Sequence, residues 1–341
     1  MPQNPFGGKQ PIGVIYNTSM SRPDAVLALA QLYGFEGKRE SRMGSVCIVG
    51  GGLNAAIFCD LLFKFYFPQP RNGNQSLPVG LALVNPLPPD SAMVNAAVER
   101  KNDKGEPQYP RTIRKPTDTS VAEAVVRNGV IFNAEAVMVL SAPATYLAKS
   151  LDLLGTKDLY RERVKRLVIV DTGVPQQDVP ALRKVLAEWP GQVVLCGPEV
   201  GESLPFPGAA IDKDFAWAPA HPAADAYRAA KSMPYDTPSH DLAAAHYAVF
   251  PDSGFFTLSE TGTISVDDSG RVQFTAGGSG KARKLAVDPA KKEKIVQTFV
   301  EYASAKPVVP VQRSRPPVPP AAPAKPAAAP ASPTAPATKN P

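Results

Sequence analysis

Two short segments, far apart in the sequence, carry the side chains best suited to chemistry. The apolar run from Pro11 to Tyr16 predicts a buried strand, and Asp24 follows it at the start of an apolar helical stretch. Much later, His240 and Asp241 stand together at the head of another helical stretch. Carboxylates at such turns meet helix N-termini outside the core, where α/β proteins bind ligands. These side chains could hold a cation or transfer a proton.

Each of these residues also has a purely structural explanation. Asp24 could favour the dipole of its own helix, and Ser239 or Asp241 could cap the helix that begins beside them. The other two histidines, His221 and His246, have no partners at ligand spacing. We therefore expect both to have structural roles.

The elements that would position these side chains alternate between strand and helix. Continuous apolar runs predict central parallel strands at residues 13–16, 45–49, 80–84, 136–140, 167–170 and 193–195. Helices are predicted at residues 23–33, 53–66, 120–127, 145–154, 179–188, 235–247 and 291–304, and a hairpin at 262–266 and 270–275. This alternation predicts an open, mostly parallel, doubly wound α/β sheet.

Composition and charge exclude several classes of protein. The 341 residues, 44% of them hydrophobic, suffice for one large α/β domain or two smaller ones. The net charge is +6, but basic residues are scattered among acidic ones, so we expect no nucleic-acid partner. No stretch approaches the roughly 18 apolar residues of a membrane span. The three cysteines, Cys47, Cys59 and Cys196, lie in apolar stretches and are expected to be buried thiols.

The two ends of the chain differ from its middle. Residues 1–10 form an N-terminal extension without the features of a signal peptide, so a cytoplasmic location is the default, and an extracytoplasmic one follows if the true start lies upstream. We expect one folded domain over residues 11–306. Residues 307–341 are mostly Pro, Ala and Val, which predicts a disordered tail. Within it, residues 313–319 have the PxxP form that docks on aromatic grooves, although a solvated spacer is the interpretation we favour.

Removing residues 307–341 should leave the melting temperature nearly unchanged, because a Pro/Ala tail contributes no apolar core. Differential scanning calorimetry of the full chain and of a chain ending at residue 306 measures the difference. A fall of several degrees on truncation would mean that the tail packs on the domain.

A glycine-rich segment offers a rival hypothesis. Gly50, Gly52 and Ala55 satisfy the form G-x-G-x-x-A between a predicted strand and a predicted helix, which is the context of a dinucleotide site. However, the next predicted strand ends at Asn85 rather than at an acidic residue, and it comes later than the ribose-binding carboxylate of such sites. The glycine pattern alone is a weak signal.

The loop after the first strand resembles the opening motif, DTDxGxDDA, of the inosine-uridine-preferring nucleoside hydrolase family. The matching stretch here, NTSMSRPDA, begins at Asn17 and keeps the family's Thr, its last Asp (Asp24) and its Ala. Asn17 and Ser19 stand where the first two aspartates would be, and Pro23 replaces another. In the family these carboxylates hold a calcium ion, and one of them activates the attacking water.

Further segments resemble the family in the same order. Residues 140–148 resemble its GPLTNLA segment, in which the Thr, here Thr145, gives a main-chain carbonyl to the metal. Residues 167–173 take the place of a strand that ends in MGG. His240 and Asp241 match its HD pair, in which the Asp ligates calcium and the His faces the leaving base.

The resemblance, over about residues 11–303, implies both a fold and a site. It implies catalytic Asp24 and His240, metal ligands Asp24, Thr145 and Asp241, and substrate contacts Asn17, Ser19 and Asn54. Because only two of the carboxylates remain, we expect Ca²⁺ binding to be weak or absent. Two functions stay open: a divergent hydrolase of a nucleoside-like small molecule, and a non-catalytic relative that keeps the fold for binding or interaction. Because the family is often dimeric or tetrameric, a homo-oligomer is a further expectation.

Overall fold

The computed structural model describes residues 10–68 and 76–307 of the chain. Eleven strands within these ranges form the sheet: β1 (Ile12–Thr18), β2 (Ser41–Ile48), β3 (Val79–Leu81), β4 (Ser120–Val121), β5 (Ala136–Ser141), β6 (Val164–Val170), β7 (Val193–Cys196), β8 (Phe256–Leu258), β9 (Gly262–Val266), β10 (Val272–Ala276) and β11 (Ala282–Val287). Twelve α-helices accompany them: α1 (Pro23–Gly37), α2 (Leu53–Tyr66), α3 (Ala92–Glu99), α4 (Ala122–Ile131), α5 (Thr145–Ser150), α6 (Thr156–Arg163), α7 (Val179–Glu188), α8 (Pro198–Glu202), α9 (Ala209–Lys213), α10 (Pro222–Ala230), α11 (His240–Val249) and α12 (Lys292–Ala303).

The sheet has the order β10-β9-β11-β7-β6-β5-β1-β2-β3-β4, and β8 pairs with β11. Every pair from β4 across to β11 is parallel, and the pairs made by β8, β9 and β10 are antiparallel. The chain runs outward from β1 in one direction and returns to start β5 on its other side. The predicted open, mostly parallel α/β sheet is therefore confirmed. Ligands of such sheets bind where the strand order reverses, here at the carboxyl ends of β1 and β5.

The burial of helix α1 explains why its sequence is apolar almost throughout. All of its residues from Asp24 to Phe35 are buried, and it packs against α10, α11 and α12 as well as β2. Asp24 is the one charged side chain in that buried part. Because an isolated buried charge is costly, Asp24 requires a partner.

The predicted elements differ from the structure mainly at their ends. Helices α2 and α7 have the predicted bounds, and the predicted hairpin is formed by β9 and β10. Strand β3 ends at Leu81 rather than at Val84, which is 48% exposed beyond the sheet. The helix predicted over residues 145–154 stops at Ser150, and Leu154 is 96% exposed.

The described residues all belong to one unit of the chain. The predicted N-terminal extension (apart from residue 10) and the predicted tail (apart from residue 307) lie outside the described residues. No helix in the described ranges is both long enough and apolar enough to span a membrane.

Candidate functional site

An arginine bridges the two carboxylates that the sequence singled out. Arg22 lies in the loop between β1 and α1, directly before Pro23 at the first turn of the helix. Its Nε lies 3.2 Å from Asp24 Oδ1, and its Nη2 lies 2.5 Å from Asp241 Oδ1. The structure therefore brings Asp24 and Asp241 together around one guanidinium group.

Two hydroxyl groups complete the surroundings of this guanidinium. Nη2 of Arg22 also donates to Oγ of Ser141 at 2.9 Å, and Nη1 donates to Oγ1 of Thr172 at 3.0 Å. Ser141 is the last residue of β5, and Thr172 follows the end of β6. The cluster thus lies at the carboxyl ends of β1, β5 and β6, where the topology predicts a ligand site.

Asp241 has no exposed surface and is held from three directions. Besides Arg22, Oγ of Ser141 donates to its Oδ1 at 2.5 Å, and the hydroxyl of Tyr16 donates to its Oδ2 at 2.5 Å. The backbone N–H of Asp241 donates to Asp24 Oδ2 at 2.9 Å, so Asp24 serves as a cap for the first turn of α11. Ser239 does not cap this helix, because its hydroxyl has no partner among the described residues.

Charge and burial act in opposite directions on this cluster. Burial and the nearby charge of Asp241 raise the pKa of Asp24 to about 6, although Arg22 opposes the shift. Burial alone would lower the pKa of Arg22, but the charges of Asp241 and Asp24 outweigh it and raise that pKa above its usual value. Burial, followed by the charge of Asp241, also raises the pKa of Tyr16 well above its usual value. Arg22 and Tyr16 therefore keep their protons at physiological pH.

The loop that carries Arg22 is held in a strained conformation. Met20 has a left-handed φ of 53°, yet its side chain is fully buried. Such a conformation costs about 1–3 kcal/mol in a non-glycine residue and needs support from its surroundings. The Thr18 hydroxyl accepts from the N–H of Met20, and the hydroxyls of Ser19 and Ser21 lie 2.7 Å apart. This loop places both serines at the edge of a cavity.

The cavity beside the cluster has a volume of about 460 Å³. Its polar lining comes from Ser19, Ser21, Arg22, Ser141, Thr172, Gln177 and Asp178. Its apolar lining includes Leu140, Pro143, Ile169, Val170, Val174, Pro175 and Leu182. Its size and mixed lining suit a small organic molecule.

Three of the predicted site residues, Asn17, Asn54 and Thr145, form hydrogen bonds outside the Arg22 cluster. The amide of Asn17 donates to the Val139 carbonyl at 3.3 Å, within the sheet, and the amide of Asn54 donates to Asn95 Oδ1 at 2.9 Å. Thr145 donates to Asp178 through its hydroxyl at 2.7 Å and through its N–H at 3.0 Å. These contacts bring neither Asn54 nor Thr145 to Arg22.

His240, a further predicted site residue, is half-buried at the start of α11. It packs against Gly201 of α8, where a Cβ atom would stand 2.1 Å from its Nδ1. Burial and then the charge of Arg22 lower the pKa of His240. Its Nδ1 is buried without a hydrogen-bond partner in the described part of the chain. His240 is not part of the lining of the 460 Å³ cavity.

The glycine-rich segment at the start of α2 is occupied from within the chain. The carboxylate of Asp90 accepts from the N–H groups of Gly52 at 2.8 Å, Asn54 at 2.8 Å and Ala55 at 3.0 Å. A Cβ atom at Gly52 would lie 2.6 Å from Asp90 Oδ2, so this glycine is needed for the contact. This contact argues against the rival dinucleotide hypothesis, because Asp90 occupies the N–H groups that would bind a phosphate.

The residues present do not fit a calcium ion. Calcium takes six to eight oxygen ligands, several of them carboxylates. Here both retained carboxylates contact Arg22, a cation that repels another cation. Within residues 10–68 and 76–307, no three His, Cys, Asp or Glu side chains are grouped to hold a metal ion.

Sequence reasoning missed the residue at the centre of the cluster. Arg22 stands at a variable position of the matched motif, two residues before Asp24. Ser141 and Thr172 were within matched segments but were given no role, and Tyr16 was expected only as a strand residue. One signal was available in the sequence. Arg22 is a basic residue two positions before Asp24, in a motif that has lost most of its metal-binding carboxylates.

Comparison with known proteins supports the fold. No protein-family model matches the sequence, and no curated protein matches it significantly. Among solved structures, the inosine-uridine-preferring nucleoside hydrolase from Bacillus anthracis is similar, with a TM-score of 0.60 and 14% identity over 85% of this chain and 99% of that chain. A plant nucleoside hydrolase (TM-score 0.59) and the purine-preferring ribonucleoside hydrolase from Gardnerella vaginalis (TM-score 0.58) each share 16% identity over 86% of this chain and 99% of theirs. The chain therefore has the nucleoside hydrolase fold.

Proposed function

We propose that this protein is a non-hydrolytic, calcium-independent relative of the nucleoside hydrolases that binds a nucleoside-like small molecule. The position of Arg22 carries the proposal. Its guanidinium lies within hydrogen-bond distance of both Asp24 and Asp241, the two carboxylates that the resemblance assigns to a metal. The positive charge of Arg22 thus balances their negative charge, in place of a metal ion. The cavity beside it remains available for a ligand.

Among the described residues, the same contacts engage the carboxylates that could act as a general base at this site. Hydrolysis of an N-glycosidic bond through an oxocarbenium-like state requires a group that activates water. Both oxygens of Asp24 accept hydrogen bonds from protein groups, and its side chain is only 2% exposed. Asp178, a carboxylate of the cavity lining, accepts from Ala144 and Thr145. Ser19 cannot take up a proton from water unaided.

A divergent N-ribosyl hydrolase is the second candidate, and one observation favours it. A pKa near 6 is well suited to a base that acts near neutral pH, and burial gives Asp24 that pKa. This function needs water to reach a carboxylate that is now enclosed. Preference for inosine and uridine, which the sequence resemblance suggests, belongs to this candidate alone.

The first test is calorimetric titration of the protein with Ca²⁺, followed by assays with inosine, uridine and a nitrophenyl riboside. We expect no calcium binding at micromolar concentrations and no turnover above the rate without protein. An intact nucleoside hydrolase, assayed in parallel, is the positive control. Micromolar calcium affinity, or turnover on the order of 10 per second, would overturn the proposal in favour of an enzyme.

Slow residual hydrolysis would be assigned by two variants. Asp24→Asn should abolish it, because Asp24 is the retained carboxylate of the opening loop. His240→Ala should reduce it less for substrates with good leaving groups, which need little acid assistance. Equal rates in the protein and in Asp24→Asn would show that the activity arises elsewhere.

A further inference from the structure

The residues that line the cavity include several hydrogen-bond donors without a partner among the described residues. Arginine has five N–H groups, and Arg22 uses four of them on Asp24, Asp241, Ser141 and Thr172. Its Nη1 keeps one N–H without a partner among the described residues. The hydroxyl of Thr172 accepts from Arg22 but donates to no described group. Arg22 and Thr172 both belong to the cavity lining.

The Ser19 and Ser21 hydroxyls and one amide extend this set. Ser19 and Ser21 bond to each other, so one of their two O–H groups remains free. Gln177 is exposed in the cavity wall, and its amide forms no hydrogen bond within the described ranges. An amide supplies two donors and one acceptor.

The carboxylates, in contrast, already accept hydrogen bonds from protein groups. Asp241 accepts from Arg22, Ser141 and Tyr16, and Asp24 accepts from Arg22 and from the Asp241 N–H. Asp178 accepts from Ala144 and Thr145. Among the described residues, every carboxylate in or beneath the cavity is therefore already engaged, and none is free to accept from a pair of adjacent ligand hydroxyls.

We infer that this cavity recognises a neutral ligand through its carbonyl oxygens, as in the lactam ring of a pyrimidine or purine base, rather than through a ribose diol. Thr172 and Gln177 are then the residues that determine specificity. The inference rests on the proposed function, because it assumes that the 460 Å³ cavity is the ligand site.

The charges around Arg22 favour a neutral ligand over an anion. Two carboxylates already contact this guanidinium, so a further negative charge would meet a cluster whose charge is balanced or negative. The apolar wall, which includes Leu140, Val174 and Leu182, favours a ligand with a largely apolar body. A lactam heterocycle combines both properties.

The experiment compares three probes, uracil, ribose and inorganic phosphate, on the full chain by ligand-observed NMR and calorimetry. We expect uracil to bind and the other two to bind at least tenfold more weakly. Thr172→Val should weaken uracil binding about two- to tenfold, the usual effect of one hydrogen bond, while Thr172→Ser should restore it. Gln177→Ala should also weaken it, while Gln176→Ala, at an exposed neighbour outside the cavity lining, should not.

Ribose or phosphate binding as tightly as uracil would overturn the inference. So would no binding of any probe, or uracil binding that Thr172→Val leaves unchanged. None of these results affects the calcium and turnover measurements on which the proposed function depends. Conversely, turnover of inosine would overturn the proposed function whatever the order of the three probes.

Discussion

Replacing Arg22 with alanine is expected to lower the free energy of unfolding by about 3–5 kcal/mol. The variant leaves two carboxylates without their counter-charge in a site where the Asp24 side chain is 2% exposed and that of Asp241 is not exposed at all. Chemical denaturation at neutral pH measures the loss. It should be smaller near pH 5, because Asp24, with its raised pKa of about 6, takes up a proton there.

Calcium should partly rescue this variant and should not stabilise the original protein. Removing the guanidinium frees the space between two carboxylates that a hard cation prefers. Thermal unfolding with and without millimolar Ca²⁺ compares the two chains. Arg161→Ala is the matched control, because Arg161 pairs with Asp158 on the surface, where both side chains are exposed and the pair contributes at most about 1 kcal/mol. A loss in Arg22→Ala no larger than in this control would mean that Arg22 does not neutralise the two carboxylates.

The second large effect is expected on the free energy of unfolding at acid pH, and it arises from His246. This residue lies in a cluster of aromatic rings that includes Phe255 and Phe299, and neither ring nitrogen has a hydrogen-bond partner among the described residues. Burial lowers its pKa from 6.5 to about 4. Its contribution to stability is therefore complete above pH 6.5 and is lost as the pH falls towards 4, by about 3 kcal/mol in total.

His246→Leu isolates this contribution. The variant should be about 1 kcal/mol more stable at pH 7, because two unsatisfied buried nitrogens are removed, and should lose less stability between pH 6.5 and 4. The relevant quantity is the difference in unfolding free energy between the two chains at each pH, because Asp24 titrates in the same range with the opposite sign. The raised pKa of Asp24 means that its contribution to stability is lost as the pH rises from about 4 to 6. Parallel pH profiles for the two chains would contradict the prediction. His221 provides an internal comparison, because burial lowers its pKa to about 3 and the variant leaves it unchanged.

The sequence predicted the central part of the fold well because its elements are long and strongly patterned. Strand β5 and the Leu167–Val170 part of β6 are buried and almost continuously apolar, and α2 and α7 have their predicted bounds. Short helices such as α8 and α9, of five residues each, have too few turns to show a period. Strand β11 was missed for another reason: its ARKLAV sequence forms a strand because it inserts between β7 and β9, and no local pattern encodes that pairing.

Only the site residues whose side chains suggest a chemical role could be predicted from the sequence. Asp24 and Asp241 were singled out because each stands at the head of a predicted helix and matches a carboxylate of the resembling family, and the structure places them together. The role of Arg22 depends on a contact across more than two hundred residues, which a single sequence does not reveal. The side chains of Asn54 and Thr145 have local partners, Asn95 and Asp178, that motif spacing does not specify.

Asp90 acts at the start of α2 as a tethered competitor. Because its carboxylate is joined to the same chain, it meets the N–H groups of Gly52, Asn54 and Ala55 at an effective concentration of about millimolar or higher. A free phosphate at micromolar concentration would have to displace a group that never diffuses away, and it would also leave Asp90 to be solvated again. In other proteins such a glycine pattern binds phosphates, but here the carboxylate of Asp90 occupies its N–H groups. A nucleotide could therefore bind at the start of α2 only by displacing Asp90.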